Sequence, residues 1–125
     1  MDSVVHFEIP ADDLKRASAF YKKAFGWTAE EFMGMGYWML GTTESNEQGM
    51  PKNPGAINGG MGKREGPLKG IVVTINVKDI EKALEKIEKS GGKTVQKRQP
   101  VGDMGFTAYF KDSEGNIVGL YQNAT

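Results

Sequence analysis

The chain has 125 residues and no cysteine, and its sixteen basic residues balance sixteen acidic ones. This length predicts one domain whose hydrophobic core is large enough to be stable without disulfide bonds. The missing cysteines exclude disulfides, thiolate nucleophiles and cysteine-based zinc sites. Nucleic-acid binders usually carry a basic surplus, so the balanced charge argues against nucleic acid as a partner.

The start of the chain does not resemble a targeting segment. Residues 1–6 contain no basic region and no long apolar run, so we expect no signal peptide. No stretch approaches the roughly 20 apolar residues that a membrane-spanning helix needs, which argues against a membrane partner. Together with the absence of cysteine, these features predict a cytoplasmic protein.

In the first half of the chain, the pattern predicts one helix and four strands. The first strand, at 4–9, is rich in β-forming residues and is ended by Pro10. Asp12 or Asp13 then supplies the N-cap of a helix that runs to residue 25 and is closed by Gly26. The other strands are expected at 27–32, 36–40 and 56–61, with a turn near Met33-Gly34 between the first two.

The second half repeats this order. A β-branched run at 71–77 is the clearest strand, and Asp79 caps a helix that ends before Gly91-Gly92. The outer face of that helix is nearly all Glu and Lys, which is typical of a solvated surface. Further strands are expected at 93–97, 106–111 and 116–121.

Three sequence matches support an internal repeat. The offset is 79 − 13 = 66 at the helices, 104 − 35 = 69 in the third strand and 115 − 55 = 60 in the fourth strand. We therefore predict an α+β fold of two βαβββ modules, over about 1–63 and 68–125, in one domain. The matched sets are Asp13, Leu14, Ala17 and Gly26 with Asp79, Ile80, Ala83 and Gly92; Met35-Gly36-Tyr37 with Met104-Gly105-Phe106; and residues 55–59 with 115–119.

Taken in order, several motifs resemble the vicinal-oxygen-chelate superfamily, which includes glyoxalase I, bleomycin-resistance proteins and extradiol dioxygenases. The resemblance spans nearly the whole chain. It implies that the modules form curled mixed sheets around a cleft, that a small organic molecule binds there, and that the protein is a homodimer. The motifs are His6-Phe7-Glu8-Ile9-Pro10-Ala11-Asp12-Asp13, Phe20-Tyr21, Phe25-Gly26-Trp27, Val77-Lys78-Asp79-Ile80, Gly91-Gly92-Lys93 and residues 110–117.

The resemblance also implies four positions for metal ligands, and this chain retains one of them. His6 stands seven residues before the helix-capping Asp13, as the family pattern requires. The other three positions fall on Val72, Gly59 and Gly119. A divalent site normally needs at least three protein ligands, and valine and glycine side chains cannot donate. We therefore expect no bound metal and no other cofactor.

The candidate site residues lie on strands that the resemblance places around the cleft. His6 and Glu8 alternate along the first strand, so both lie on one face, either as an acid/base pair or as groups that only hydrogen-bond. Thr74 and Tyr121 are expected to bind the ligand with them. Trp38 is a further ligand-binding candidate, although either it or its neighbour Tyr37 faces the cleft.

Three functions follow from this reading. The first is a small-molecule-binding protein of the glyoxalase and bleomycin-resistance type that works without a metal. The second is a divalent-metal-dependent lyase, isomerase or dioxygenase that recruits Glu8 around His6. The third is a dimeric interaction domain without catalysis. Whether the protein is an enzyme stays open, as does the identity of its ligand.

Overall fold

The computed structural model describes residues 1–32, 34, 36–47 and 50–124. The chain forms two compact units. The first unit is His6–Ile71, and the second is Val72–Thr125 together with Met1–Val5. Each unit combines one helix with β-strands in the predicted order, so the α+β class and the two βαβββ modules are confirmed. In the described part of the chain, no helix has the length and apolar character needed to cross a membrane.

The first unit contains a mixed sheet. Its strands follow the order β2-β3-β4-β1, in which β1 and β4 are parallel and the other pairs are antiparallel. The elements are β1 (Val4–Ala11), α1 (Leu14–Phe25), β2 (Thr28–Glu31), β3 (Trp38–Gly41) and β4 (Gly59–Lys63).

The second unit repeats this topology in the order β5-β8-β7-β6, with β5 and β8 parallel. The beginning of the chain belongs to it, since the Asn76 amide donates a hydrogen bond to the Ser3 carbonyl at 2.9 Å. Its elements are β5 (Val72–Asn76), α2 (Ile80–Lys89), β6 (Lys93–Val101), β7 (Gly105–Lys111) and β8 (Ile117–Asn123).

Both helices begin at the predicted aspartates. The Asp13 carboxylate accepts from the Arg16 amide at 3.0 Å, and Asp79 accepts from the Lys82 amide at 3.1 Å. Each bond satisfies one of the amides that a first helical turn leaves without a partner. Gly26 ends α1 in the left-handed conformation with φ 74°, which a residue without a Cβ adopts at little cost.

Several strands differ from their predicted bounds, among them β1, which continues through Pro10 to Ala11 instead of ending at residue 9. β6 continues to Val101 instead of ending at residue 97, and its pairing with β7 shifts register twice. These irregularities break the alternation that a sequence pattern relies on, and Pro100 is tolerated because β6 is an edge strand. β4 begins at Gly59, later than expected. Met33 of the predicted turn and Met35 of the repeat motif lie outside the described residues.

Each helix covers one face of its own sheet. In the first unit, a buried cluster forms between α1 and the sheet from Ile9, Ala11, Ala29, Leu40 and Met61. In the second unit, the corresponding cluster forms against α2 from Val77, Ile80, Leu84, Ala108, Phe110 and Leu120. The opposite face of each sheet is therefore the one that carries polar side chains of the strands.

Strand pairing corrects two of the three repeat offsets. The helix caps keep the offset of 66, which makes Glu8 equivalent to Thr74. Glu8 pairs with Gly60 and Thr74 with Gly119, so the fourth strands differ by 119 − 60 = 59, not 60. Gly60 and Gly119 pair in turn with Met39 and Tyr109, so the third strands differ by 109 − 39 = 70, not 69. The sequence match aligned identical residues that lie on opposite faces.

Candidate functional site

The candidate site lies on the face of the first-unit sheet opposite α1, which we call the Tyr37 face. Along β1, Phe7 and Ile9 pack toward α1, so His6 and Glu8 point the other way. The pairing of Glu8 with Gly60 and of Gly60 with Met39 continues this face across β4 and β3. The Tyr37 face therefore comprises His6, Glu8, Tyr37, Met39, Gly60 and Gly62.

Three polar side chains on this face form one hydrogen-bonded chain. The Tyr37 hydroxyl donates to Oε2 of Glu8 at 3.0 Å. The same hydroxyl oxygen lies 3.1 Å from Nε2 of His6. Glu8 is 8% exposed, whereas His6 and Tyr37 are only partly buried. This series of hydrogen-bonded side chains therefore runs from the buried carboxylate of Glu8 to His6, which is partly accessible to solvent.

Glycines in β4 make room for the Tyr37 ring. A Cβ added to Gly60 would overlap the ring and hydroxyl of Tyr37. A Cβ on Gly62 would lie 3.1 Å from Leu68 and 3.4 Å from the Tyr37 ring. Any side chain at Gly60 would therefore displace the hydroxyl that joins His6 to Glu8, which gives the glycine-rich sequence of this strand a structural purpose.

Burial governs the charge of His6. Loss of hydration lowers the pKa of the imidazole below its ordinary value, and the nearby Glu8 carboxylate opposes this shift with a smaller effect. The histidine is therefore neutral at neutral pH, where it carries one ring proton.

Two residues predicted for the site lie on the other face of the first-unit sheet. Trp38 pairs with Met61 and packs against the cluster under α1. Gly59 pairs with Phe7, and a Cβ there would overlap the Phe7 ring. The structure thus brings Tyr37, rather than Trp38, to His6 and Glu8. On β4, the residue that shares the face of His6 and Glu8 is Gly60 instead of Gly59. The corrected family position therefore still has no side chain that could bind a metal.

The other predicted site residues lie on the face of the second-unit sheet opposite α2, which we call the Thr74 face. Two rows of paired residues define it: Thr74, Gly119 and Tyr109, and then Asn76, Tyr121 and Thr107. Thr74 is 5% exposed. The Tyr121 hydroxyl donates to the Met104 carbonyl at 2.8 Å, and burial raises the pKa of that phenol. Val72 is also buried, and its side chain is apolar.

The donors in the first unit do not fit a divalent metal. Among the residues that the structure describes, no three His, Cys, Asp or Glu side chains come together as a ligand group. The two donors present, His6 Nε2 and Glu8 Oε2, both contact the Tyr37 hydroxyl. A resident metal would need at least one more protein ligand.

Sequence reasoning placed His6 and Glu8 on one face of β1 but did not resolve which residue joins them. Alternation along a strand says that Tyr37 and Trp38 face opposite ways without saying which one faces the cleft. The available signal was the Gly59-Gly60-Met61-Gly62 segment in the next strand. A strand without side chains on one face leaves space that a neighbouring aromatic ring can fill.

Comparison with known proteins identifies the family. Residues 3–120 match the family model described as Glyoxalase/Bleomycin resistance protein/Dioxygenase superfamily. The chain belongs to this superfamily. It is 32% identical over 114 residues to a glyoxylase-like domain-containing protein of Didymella fabae, a match that covers 87% of this chain and 84% of that protein.

Solved structures with the same fold include two epimerases. Methylmalonyl-CoA epimerase of Mycobacterium tuberculosis matches with a TM-score of 0.65 and 16% identity, covering 98% of this chain and 88% of that one. A Streptomyces coelicolor methylmalonyl-CoA epimerase, in complex with 2-nitronate-propionyl-CoA, matches with a TM-score of 0.67 and 16% identity, covering 98% and 97%. At these identities the superfamily member described here shares their fold.

Proposed function

We propose that this superfamily member binds a small organic molecule on the Tyr37 face and does so without a resident metal. The observation that carries the proposal is the hydrogen-bonded chain of His6, Tyr37 and Glu8. It places polar groups on a sheet face that no helix of the first unit covers, beside Met39 and a glycine surface. A few fixed polar groups beside apolar surface are the usual composition of a small-molecule site.

The burial of the three residues supports binding at the His6 end. Glu8 is nearly enclosed, and its carboxylate accepts a hydrogen bond from Tyr37. His6 and Tyr37 keep part of their surface exposed and can touch a ligand. Hydrogen bonding between the side chains fixes the rotamers before a ligand arrives, which reduces the entropy lost on binding.

Metal independence is the second element of the proposal. The family positions other than His6 hold Val72, Gly119 and, by strand pairing, Gly60. None of these side chains can coordinate a metal. The ligand that the resemblance implies between the modules, and the cytoplasmic location, both stay predictions.

A thermal-shift screen of small metabolites and antibiotics tests the binding proposal, because a ligand that binds only the folded protein raises Tm. The screen uses chelator-treated wild type together with His6→Ala and Tyr37→Phe. We expect at least one compound to raise Tm in the wild type, and the rise to shrink in both variants. An equal rise in His6→Ala would place the ligand elsewhere. If no compound in a broad library raises Tm, the interaction-domain alternative is favoured.

We also propose that the protein is a homodimer formed through α1. Phe20 and Phe25 are 58% and 65% exposed, and their rings pack with Tyr21 and Trp27. Large exposed aromatic patches are typical of interaction surfaces.

Charge favours a second copy as the occupant of this patch. A groove of about 410 Å³ beside it is lined by residues that include Lys22, Trp27 and Glu30. In a two-fold arrangement, the same patch meets itself, so the Lys22 of each copy can face the Glu30 of the other. β2 is also an edge strand, which a second copy would cover.

A further inference from the structure

A short loop follows β4 and returns to the Tyr37 face. We call residues 64–69 the Arg64 loop. The Arg64 guanidinium holds its two ends together, since Nη1 donates to the Lys69 carbonyl at 3.3 Å and Nε donates to Oδ1 of Asp12 at 3.2 Å. The Arg64 amide also donates to the Ala11 carbonyl at 3.2 Å. The loop is therefore fastened to the end of β1 and closed on itself.

The Arg64 loop places one apolar side chain on the Tyr37 face. Leu68 is 7% exposed. The atoms nearest to a Cβ built on Gly62 are Cδ2 of Leu68, at 3.1 Å, and Cδ1 of the Tyr37 ring, at 3.4 Å. Leu68 and Tyr37 therefore border the same gap, which exists because residue 62 has no side chain.

This gap lies in the direction that would take the Tyr37 hydroxyl away from its partners. The hydroxyl lies over Gly60, which pairs with Glu8. Gly62 is two residues further along β4, so a ring that shifted toward it would withdraw the hydroxyl from Glu8. A glycine at position 62 cannot block that movement. The neighbouring side chain that borders the gap is Leu68.

We infer that Leu68 is a positioning residue of the ligand site, which keeps the Tyr37 hydroxyl between His6 and Glu8 by filling the gap at Gly62. The inference rests on the proposed function, in which His6 and Tyr37 touch the ligand. A ring that is already fixed loses less entropy when a ligand binds. A shorter side chain at position 68 should therefore weaken binding, although it removes no group that touches the ligand.

Carbon-13 NMR of the full-length protein tests this role without a ligand. Tyrosine labelled at Cζ gives four signals, one for each tyrosine, and Tyr37→Phe identifies the signal of Tyr37. Cζ carries the hydroxyl, so its chemical shift responds to the hydrogen bonds made there. We expect Leu68→Ala to move the Tyr37 signal toward that of free tyrosine. Leu68→Met conserves the volume and should keep the signal near its wild-type position.

Leu40→Ala is the matched control. Leu40 is also buried and belongs to the same unit, but it packs in the cluster against α1, on the opposite face of the sheet. It should lower stability and leave the Tyr37 signal in place. Leu68→Val and Leu40→Val repeat the comparison if an alanine variant fails to fold. An unmoved Tyr37 signal in the shortened Leu68 variants, or an equal shift in the Leu40 variants, would overturn the inference.

A methyl group at position 62 tests the gap itself. In the wild type, the Cβ of Gly62→Ala would crowd Leu68 at 3.1 Å. In the Leu68→Ala background, the same methyl group should replace part of the missing side chain and return the Tyr37 signal toward its wild-type position. A signal that does not return in the double variant would contradict the role assigned to the gap.

Ligand binding provides a readout that general loss of stability would not move. A compound that raises Tm of the wild type should bind Leu68→Ala roughly three- to tenfold more weakly and bind Leu40→Ala with unchanged affinity. Equal affinity of Leu68→Ala and wild type would overturn the positioning role. A screen in which no compound binds contradicts the proposed function instead, because the carbon-13 comparison of Leu68 and Leu40 variants needs no ligand.

Discussion

The two units are built on the same topology but differ in the chemistry of the sheet face that their helix leaves uncovered. In the first unit, Glu8 and His6 are joined by Tyr37. In the second, the positions equivalent to Glu8 and His6 are Thr74 and Val72, and the paired rows around them contain hydroxyl and amide groups that are neutral at pH 7. The two units therefore share a topology, but only the face of the first unit carries a histidine and a carboxylate side by side.

Glycines on the fourth strand of each unit provide the sharpest test of this difference. Gly60 lies against the ring and hydroxyl of Tyr37, whereas Gly119 lies against the small side chain of Thr74. Gly60→Ala should destabilise the protein by about 1–3 kcal/mol because a large ring must move, and Gly119→Ala by less. Urea unfolding measures both, with Gly70→Ala as a control at a position with open space. A larger loss for Gly119→Ala would contradict the packing described for Tyr37.

Removing one tyrosine hydroxyl from each sheet face should lower the stability of the protein more when the hydroxyl belongs to the first unit. Tyr37→Phe removes the hydrogen bond that buried Glu8 accepts from Tyr37 and the contact of Tyr37 with His6, which should cost about 1–3 kcal/mol. Tyr121→Phe loses an exposed bond to the Met104 carbonyl and should cost less, about 0.5–1 kcal/mol. Chemical denaturation compares the pair. Equal costs for the two variants would mean that the hydrogen bonds among His6, Tyr37 and Glu8 stabilise the protein no more than an ordinary surface hydrogen bond does.

His6 of the first unit should contribute to the pH dependence of stability between pH 5.5 and 7.5. The pKa of His6 is lowered in the folded protein by burial, and the nearby Glu8 carboxylate opposes this shift with a smaller effect. As pH falls through the ordinary histidine pKa, the unfolded chain therefore binds a proton that the folded protein resists. Stability attributable to His6 is present above that pKa and is lost as pH falls to the lowered value.

Unfolding of wild type and His6→Gln at pH 7.5 and 5.5 tests this sign. The wild type should lose more stability than the variant between the two values, since His6 is the only histidine. Asp112 does not interfere in this window, because hydrogen bonds from Asn116 and Glu114 lower the pKa of its carboxyl further into the acid range. Identical pH profiles for the two proteins would show that burial of His6 has no consequence for stability.

We expect the outer surface of α1, and not that of α2, to form the contact between the two copies of the dimer. α1 carries four basic residues, no acidic one and two exposed phenylalanines, whereas α2 alternates Glu with Lys. We expect light scattering to give 2 × 13.7 = 27.4 kDa for the wild type. The double variant Phe20→Glu/Phe25→Glu should shift toward 13.7 kDa with little change in stability. Val73→Glu, an exposed apolar residue of the second unit, serves as the control. A monomeric wild type would contradict the dimer.

The sequence predicted the order of the elements because their signals are local. Asp13 and Asp79 predict the starts of the two helices as N-cap residues, and the β-branched run before Asp79 predicts β5. The shared face of His6 and Glu8 was predicted because side chains alternate along a strand. The residue between them was not identified, because the contact between Tyr37 and Glu8 joins positions 29 apart in sequence.

The repeat offsets failed for a related reason. Matching Gly59 with Gly119 preserved residue identity but shifted the strand by one position, and a one-residue shift moves every side chain to the opposite face. Strand register is set by packing, here of Phe7 over Gly59 and Tyr37 over Gly60. That information lies in pairs of distant residues and not in the local pattern.

Metal content tests the central claim most directly. Elemental analysis of protein purified without chelator should find no stoichiometric divalent ion, because the described residues contain no group of three potential ligands and the family positions other than His6 hold no donor. His6→Ala is the matched control. Stoichiometric zinc, nickel, manganese or iron that survives dialysis of the wild type and is absent from His6→Ala would contradict the account and favour a metalloenzyme.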